Sequence, residues 1–168
     1  MRDRLFYWQI AGFLFTGIAG TLLHFLYDWS NQNPFVASFS AVNESIWEHM
    51  KLLFVPMFMF SILERQFIGE QYENFWCVKL ISIILGITLI PVLYYTYTGI
   101  SGISKDWINI TIFFIAAATT YLLETWLFRN ASSFCMSPLL ALFILCLLAL
   151  VFIILTFVPP EIPLFQTP

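Results

Sequence analysis

Residues 139–158 read LLALFILCLLALVFIILTFV, twenty consecutive positions without a charge, a glycine or a proline. A helix of that length rises about 30 Å, which matches the hydrocarbon thickness of a bilayer. In hydrocarbon every backbone amide and carbonyl needs a partner within the protein, so an isolated apolar run of this length is a helix and not a strand. Four more apolar stretches precede it, and the five spans are expected near 5–27, 46–66, 75–97, 107–128 and 139–158. The expected fold class is all-α: a polytopic integral membrane helical bundle of about five transmembrane helices, with 1–168 as a single transmembrane domain. Pro56 and Pro91 fall inside the second and third spans, where each removes one backbone donor and permits a kink.

Composition supports this reading. Hydrophobic residues make up 60% of the 168 positions and charged ones 10%, and the mean hydropathy is +0.85, outside the range of soluble domains. The lipid bilayer is therefore the first expected partner. A net charge of -3 and seven scattered basic residues give no basic patch, so no nucleic acid is expected. The apolar run after MRDRLFYW is too long for a signal-peptide core and lacks a small-x-small cleavage site, so it is expected to be a retained first helix. Cys77, Cys135 and Cys146 follow no metal or redox spacing, and Cys77 and Cys146 are expected to be packing residues.

With five spans, Arg2, Arg4, Arg65, Lys79 and Arg129 share one side, and Lys51 and Lys105 the other. Basic residues concentrate on the cytoplasmic side, so the expected location is the cell membrane, with a cytoplasmic N-terminus and an external C-terminus. Trp8, Trp29, Trp47, Trp76, Trp107 and Tyr97 read as interfacial belt residues.

Polarity is concentrated in residues 41–51, AVNESIWEHMK, at the start of the second span. On a helix, Glu44 and Glu48 would share one face, and Ser45 and His49 another. The first span ends LLHFLYDWS, with His24 about 6 Å deeper than Asp28 on the same side. An antiparallel return would bring these residues together. Two imidazoles with carboxylates suit a divalent metal such as zinc, with His24, His49, Glu44 and Glu48 as candidate ligands. The same groups suit a metal-free acid–base pair. The catalytic candidates are thus His24, His49, Glu44, Glu48 and Asp28. Asn43, Ser45, Tyr94 and Tyr95 are candidates for substrate binding.

The structural alternative is that Ser45 and Glu48 form a capping box, with Glu48 paired to Lys51. Capping does not account for the two histidines, which are the chain's only ones. Glu64 and Glu124, near the inner span ends, are expected to pair with Arg65, Lys79 or Arg129. Thr119 and Thr120 are expected to bond back to their own helix.

The block NESIWEHMK, following a helix that ends LHFLYDWS and accompanied by FVPPEIPLFQTP at the C-terminus, resembles a family of small multi-pass bacterial membrane proteins known as a domain of unknown function. The resemblance covers essentially the whole chain and implies a bacterial cell-membrane setting. It implies no reaction.

Three functional classes remain open at this stage. The first is a membrane-embedded hydrolase or acyl/phosphoryl transferase acting on a lipid or lipid-linked substrate. The second is a carrier for a small solute, proton or metal ion, and the third a binding or assembly subunit. A homodimer is also open, with Gly12 and the Ala11–Gly20 small-residue run as its candidate contacts.

Overall fold

The structure, a computed structural model, describes residues 2–130, 135 and 137–167. The described residues form six α-helices: α1 (Arg2–Trp29), α2 (Pro34–Ala37), α3 (Ile46–Phe67), α4 (Phe75–Ser101), α5 (Asp106–Asn130) and α6 (Pro138–Phe157). All except the four-residue α2 are long and apolar enough to cross a membrane. The protein is an all-α, multi-pass membrane bundle.

Local chemistry sets the helix ends. Ser45 is the N-cap of α3, and its hydroxyl accepts from the Glu48 amide. Ser137 caps α6 through the Leu140 amide, and Pro138 occupies the first turn, where its missing donor costs nothing. The α4 helix stops at Gly102, whose φ of 69° is open to glycine and strained for most other residues. Pro56 and Pro91 sit inside α3 and α4, and both helices continue through them.

The helices α1, α3, α4 and α5 pack as a ring of neighbours, with α6 against α4 and α3. The most apolar window of α3 is 67% buried, against 22% for α1 and 17% for α6. So α3 is the central helix, while α1 and α6 turn most of their surface outward. The core runs through Leu53, Phe54, Ile83, Ala116, Ala117 and Leu145. Where α4 crosses α5, Gly86 lies against the Thr120 side chain with no space for a Cβ. Thr120 satisfies its hydroxyl on the Ala116 carbonyl, 2.8 Å away, as expected for a threonine inside an apolar helix.

Two ion clusters are buried inside the bundle. Toward the face that holds the N-terminus (the N-terminal face), Lys79 lies 2.5 Å from Glu64 and 2.6 Å from Glu124, so Lys79 and neither arginine is their partner. Toward the opposite face, Lys51 lies 2.6 Å from Glu48. Both lysines are buried, so neither is a loop charge. Among the described side chains, the surface-lying basic residues are Arg4, Arg65 and Arg129 on the N-terminal face and Lys105 on the other. The charge bias keeps its direction, and Arg2 lies outside the described side chains.

Three expectations are revised. Cys77 is disulfide-bonded to Cys135, with Cα atoms 5.8 Å apart, instead of serving as a simple packing residue; Cys146 is free and exposed on α6. Trp47 is not an interfacial residue: it is buried between Phe152 of α6 and Phe165 of the C-terminal segment, at ring distances of 4.5 and 4.7 Å. Finally, Glu44 precedes the N-cap and lies outside α3, so it shares no helix face with Glu48.

Candidate functional site

The chain leaves α1 at Trp29, turns through α2, and reaches α3 by residues 38–45. Two contacts clamp this return. The Lys51 ammonium donates to the Ala37 carbonyl at 2.9 Å, and a Glu48 oxygen accepts from the Val42 amide at 3.2 Å. Thr156 of α6 completes the clamp: it accepts from Lys51 at 2.7 Å and donates to Glu48 at 3.0 Å. Glu48 is thus a buried anchor, turned away from the histidines. The capping box is half realised, since Ser45 caps the Glu48 amide while the Glu48 carboxylate serves Val42 and Lys51. The Ser45 amide is satisfied by the Asn43 side chain at 2.9 Å.

With the loop held in this way, Glu44 bends back over the ends of α1 and α3. His24 Nε2 lies 3.3 Å from one Glu44 oxygen and His49 Nε2 lies 3.7 Å from the other. The two imidazole rings are 5.8 Å apart. One donor atom from each of His24, Glu44 and His49 lies within 4.8 Å of the others. The His49 Nδ1 lies 2.9 Å from the Ser45 carbonyl. A carbonyl only accepts, so Nδ1 carries the proton, and in the neutral ring Nε2 presents its lone pair toward Glu44. A lone pair aimed at a carboxylate is repulsive unless a proton or a cation lies between them. This contact also separates His49 from the Ser45 hydroxyl, which is engaged in capping.

The cluster opens into a cavity of about 610 Å³, lined by Gly20, Thr21, His24 and Phe25 of α1, Glu44, and His49 and Leu52 of α3. Its other wall comes from Ser104, Asp106, Asn109, Ile110, Phe113 and Phe114. Gly20 brings α1 close to α5, since a Cβ there would meet the Phe113 ring at 2.6 Å. An apolar groove of about 340 Å³ adjoins the cavity, lined by Phe13, Leu14, Gly17, Ile18, Thr21, Leu22 and Phe114. Thr21 and Phe114 border both spaces, so a chamber of mixed polar and apolar lining at the helix ends meets an apolar groove along α1.

Of the residues expected from sequence, His24, Glu44 and His49 come together. Asp28 is exposed one turn beyond His24 and belongs to no ligand group among the described residues. Asn43 and Ser45 shape the loop, Tyr94 is buried in the core, and Tyr95 is exposed on α4. The Asp106 and Asn109 wall was missed, and so was the role of Tyr97. The Tyr97 hydroxyl reaches Asn109 at 2.9 Å and the Lys105 amide at 3.1 Å, tying the end of α4 to the start of α5. The polar run SGISKDWIN was the available signal.

The chain belongs to the family of unknown function DUF6512, whose model matches residues 2–168. No curated protein and no solved structure matches it significantly.

Proposed function

We propose that this protein is a membrane-embedded hydrolase or acyl/phosphoryl transferase acting on a lipid or lipid-linked substrate at the outer membrane face, with His24, Glu44 and His49 holding a divalent metal ion such as zinc. The observation that carries the reading is the convergence of two imidazoles and one carboxylate from three separate segments at the mouth of a cavity. Two nitrogens and a carboxylate oxygen are a donor set that zinc favours, and three protein ligands leave a position free for water or substrate. Donor atoms bound to one such ion lie at most about 4 Å apart, so the side chains close in slightly on binding. The Ser45 carbonyl on His49 Nδ1 supplies the outer hydrogen bond by which metal-binding histidines are oriented.

When bound, such an ion supplies an activated water or a polarised ester oxygen. The chain's own residues do the rest. His24 and His49 hold their Nε2 atoms at the chamber mouth, and the clamped loop keeps Glu44 between them. Asp106 and Asn109 offer polar contacts for a headgroup. The groove along Gly17, Ile18 and Leu22 accommodates an acyl chain, and His24, just over a turn from the end of α1, sits where the ester bonds of a lipid are expected. The arginine bias supports an outward orientation of this face.

The experiment is to purify the protein in detergent, measure bound metal by elemental analysis, and follow labelled lipid with wild type, His24→Ala and His49→Ala. Metal and turnover in wild type, both lost in the variants, is the expected result. Equal turnover in all three ends the enzymatic reading. Flux of a solute into proteoliposomes without chemical change would favour a carrier instead.

A further inference from the structure

At the N-terminal end of the bundle, four helices bury a cluster that the chemistry above does not use. Gln9 of α1 is 4% exposed, and Glu64 of α3, Lys79 of α4 and Glu124 of α5 are at most 1% exposed. The Lys79 ammonium contacts one oxygen of each glutamate, and Gln9 Nε2 donates to the other Glu64 oxygen at 3.1 Å. The rest of the ammonium faces the rings of Phe75, Tyr121 and Phe128, at 5.6, 5.8 and 5.9 Å. Arg65 stands over Phe75. Among the described residues, neither Arg65 nor Arg129 forms an ion pair with either carboxylate. The Tyr121 hydroxyl is engaged with Thr16 at 2.8 Å.

Two carboxylates against one ammonium leave the cluster one positive charge short among the described residues, with all three groups at most 1% exposed. An uncompensated charge is costly to bury. The hydrogen-bond inventory fails at the same spot, because Glu124 Oε1 and Gln9 Oε1 are both buried acceptors without a donor. The charge deficit and the unpartnered Glu124 Oε1 are both answered by one addition. A proton on Glu124 Oε1 neutralises the cluster and turns an orphaned acceptor into a donor.

We propose that Gln9, Glu64, Lys79 and Glu124 form an intramembrane proton-binding site that holds one proton between its two carboxylates. The balance is simple: a carboxylate takes a proton from hydronium, releasing water, and becomes a carboxylic acid. The ammonium contacts fill the Oε2 side of both glutamates and Gln9 Nε2 occupies Glu64 Oε1, which leaves Glu124 Oε1 for the proton. The site is independent of the His24–Glu44–His49 cluster at the other end of the bundle.

Infrared spectroscopy of the protein in nanodiscs at neutral pH tests this, in sodium-containing and sodium-free buffer. Wild type is expected to show the carbonyl band of a protonated carboxyl, shifted in D₂O and insensitive to sodium. Glu124→Gln is expected to lose that band and keep wild-type thermal stability, because an amide is as neutral as the acid it replaces. A wild-type spectrum without the band overturns the proposal. A band that appears only when sodium is withdrawn overturns it as well and assigns the site to a metal cation. A band that survives in both Glu64→Gln and Glu124→Gln places the proton elsewhere and also refutes it.

Discussion

Lys51→Met probes the clamp that delivers Glu44 to the histidines. The substitution keeps the length and bulk of the side chain, so it opens little cavity. It removes an ammonium that serves Glu48, the Ala37 carbonyl and Thr156 at 2.6, 2.9 and 2.7 Å. Glu48 is 2% exposed and keeps only the Val42 amide and the Thr156 hydroxyl. Removing one partner of a buried ion pair costs about 3–5 kcal/mol, chiefly because the other charge is stranded. That corresponds to roughly two to three and a half powers of ten in the folding equilibrium. SDS titration in mixed micelles measures the loss. A double-mutant cycle with Glu48→Gln isolates the pair, and the double variant should recover much of the stability because no charge is left unpaired. The loop loses its Ala37 anchor as well, so zinc affinity should fall about 10–100-fold, as when the hydrogen bonds behind metal ligands are removed. Single-variant costs that add to within about 0.5 kcal/mol, with zinc binding unchanged, would refute both the clamp and its link to the site.

Glu44→Gln should abolish zinc binding measured by elemental analysis, while Asp28→Asn should leave it intact, since Asp28 lies outside the ligand group. Thr21→Trp fills the junction between chamber and groove. It should slow turnover of long-chain lipid by roughly tenfold, about 1.4 kcal/mol of transition-state stabilisation, with bound metal unchanged. Gly86→Ala forces a methyl group against Thr120 and should destabilise the bundle by about 1–3 kcal/mol in SDS titration; Thr120→Ala in the same chain should return most of it. The Cys77–Cys135 pair reports which compartment the N-terminal face sees. Disulfides persist in oxidising compartments and thiols in the cytoplasm, whereas the arginine bias favours a cytoplasmic position for this face. Acid-quenched alkylation of intact cells should therefore trap Cys77 and Cys135 as thiols alongside Cys146, the disulfide closing only once the protein meets an oxidising medium, and a Cys77–Cys135 disulfide trapped in the cells would reverse the orientation.

The sequence alone determined the helices. Runs such as 139–158 admit one backbone solution in hydrocarbon, so all five spans could be read within a few residues of their ends. Ser45 announced its cap, because an N-cap is a local matter of one hydroxyl and one amide. It also singled out His24 and His49, since imidazoles near the edge of an apolar span are expensive. The assignment of each polar group to a partner was decided only by tertiary structure. The spacing of Glu44 and Glu48 suggested one helix face, yet the helix begins between them, and the two carboxylates serve different partners, Glu44 the histidines and Glu48 the Val42 amide, Lys51 and Thr156. Glu48 met Thr156 of α6, and Lys79 met carboxylates from α3 and α5. Sequence spacing carries no information about which helices become neighbours. The same limit hid the Asp106 and Asn109 wall, which joins the chamber only because α5 packs against α1. Helix formation is local in a membrane, while the choice of neighbours depends on how five largely apolar surfaces fit together, and there the buried charges find their partners.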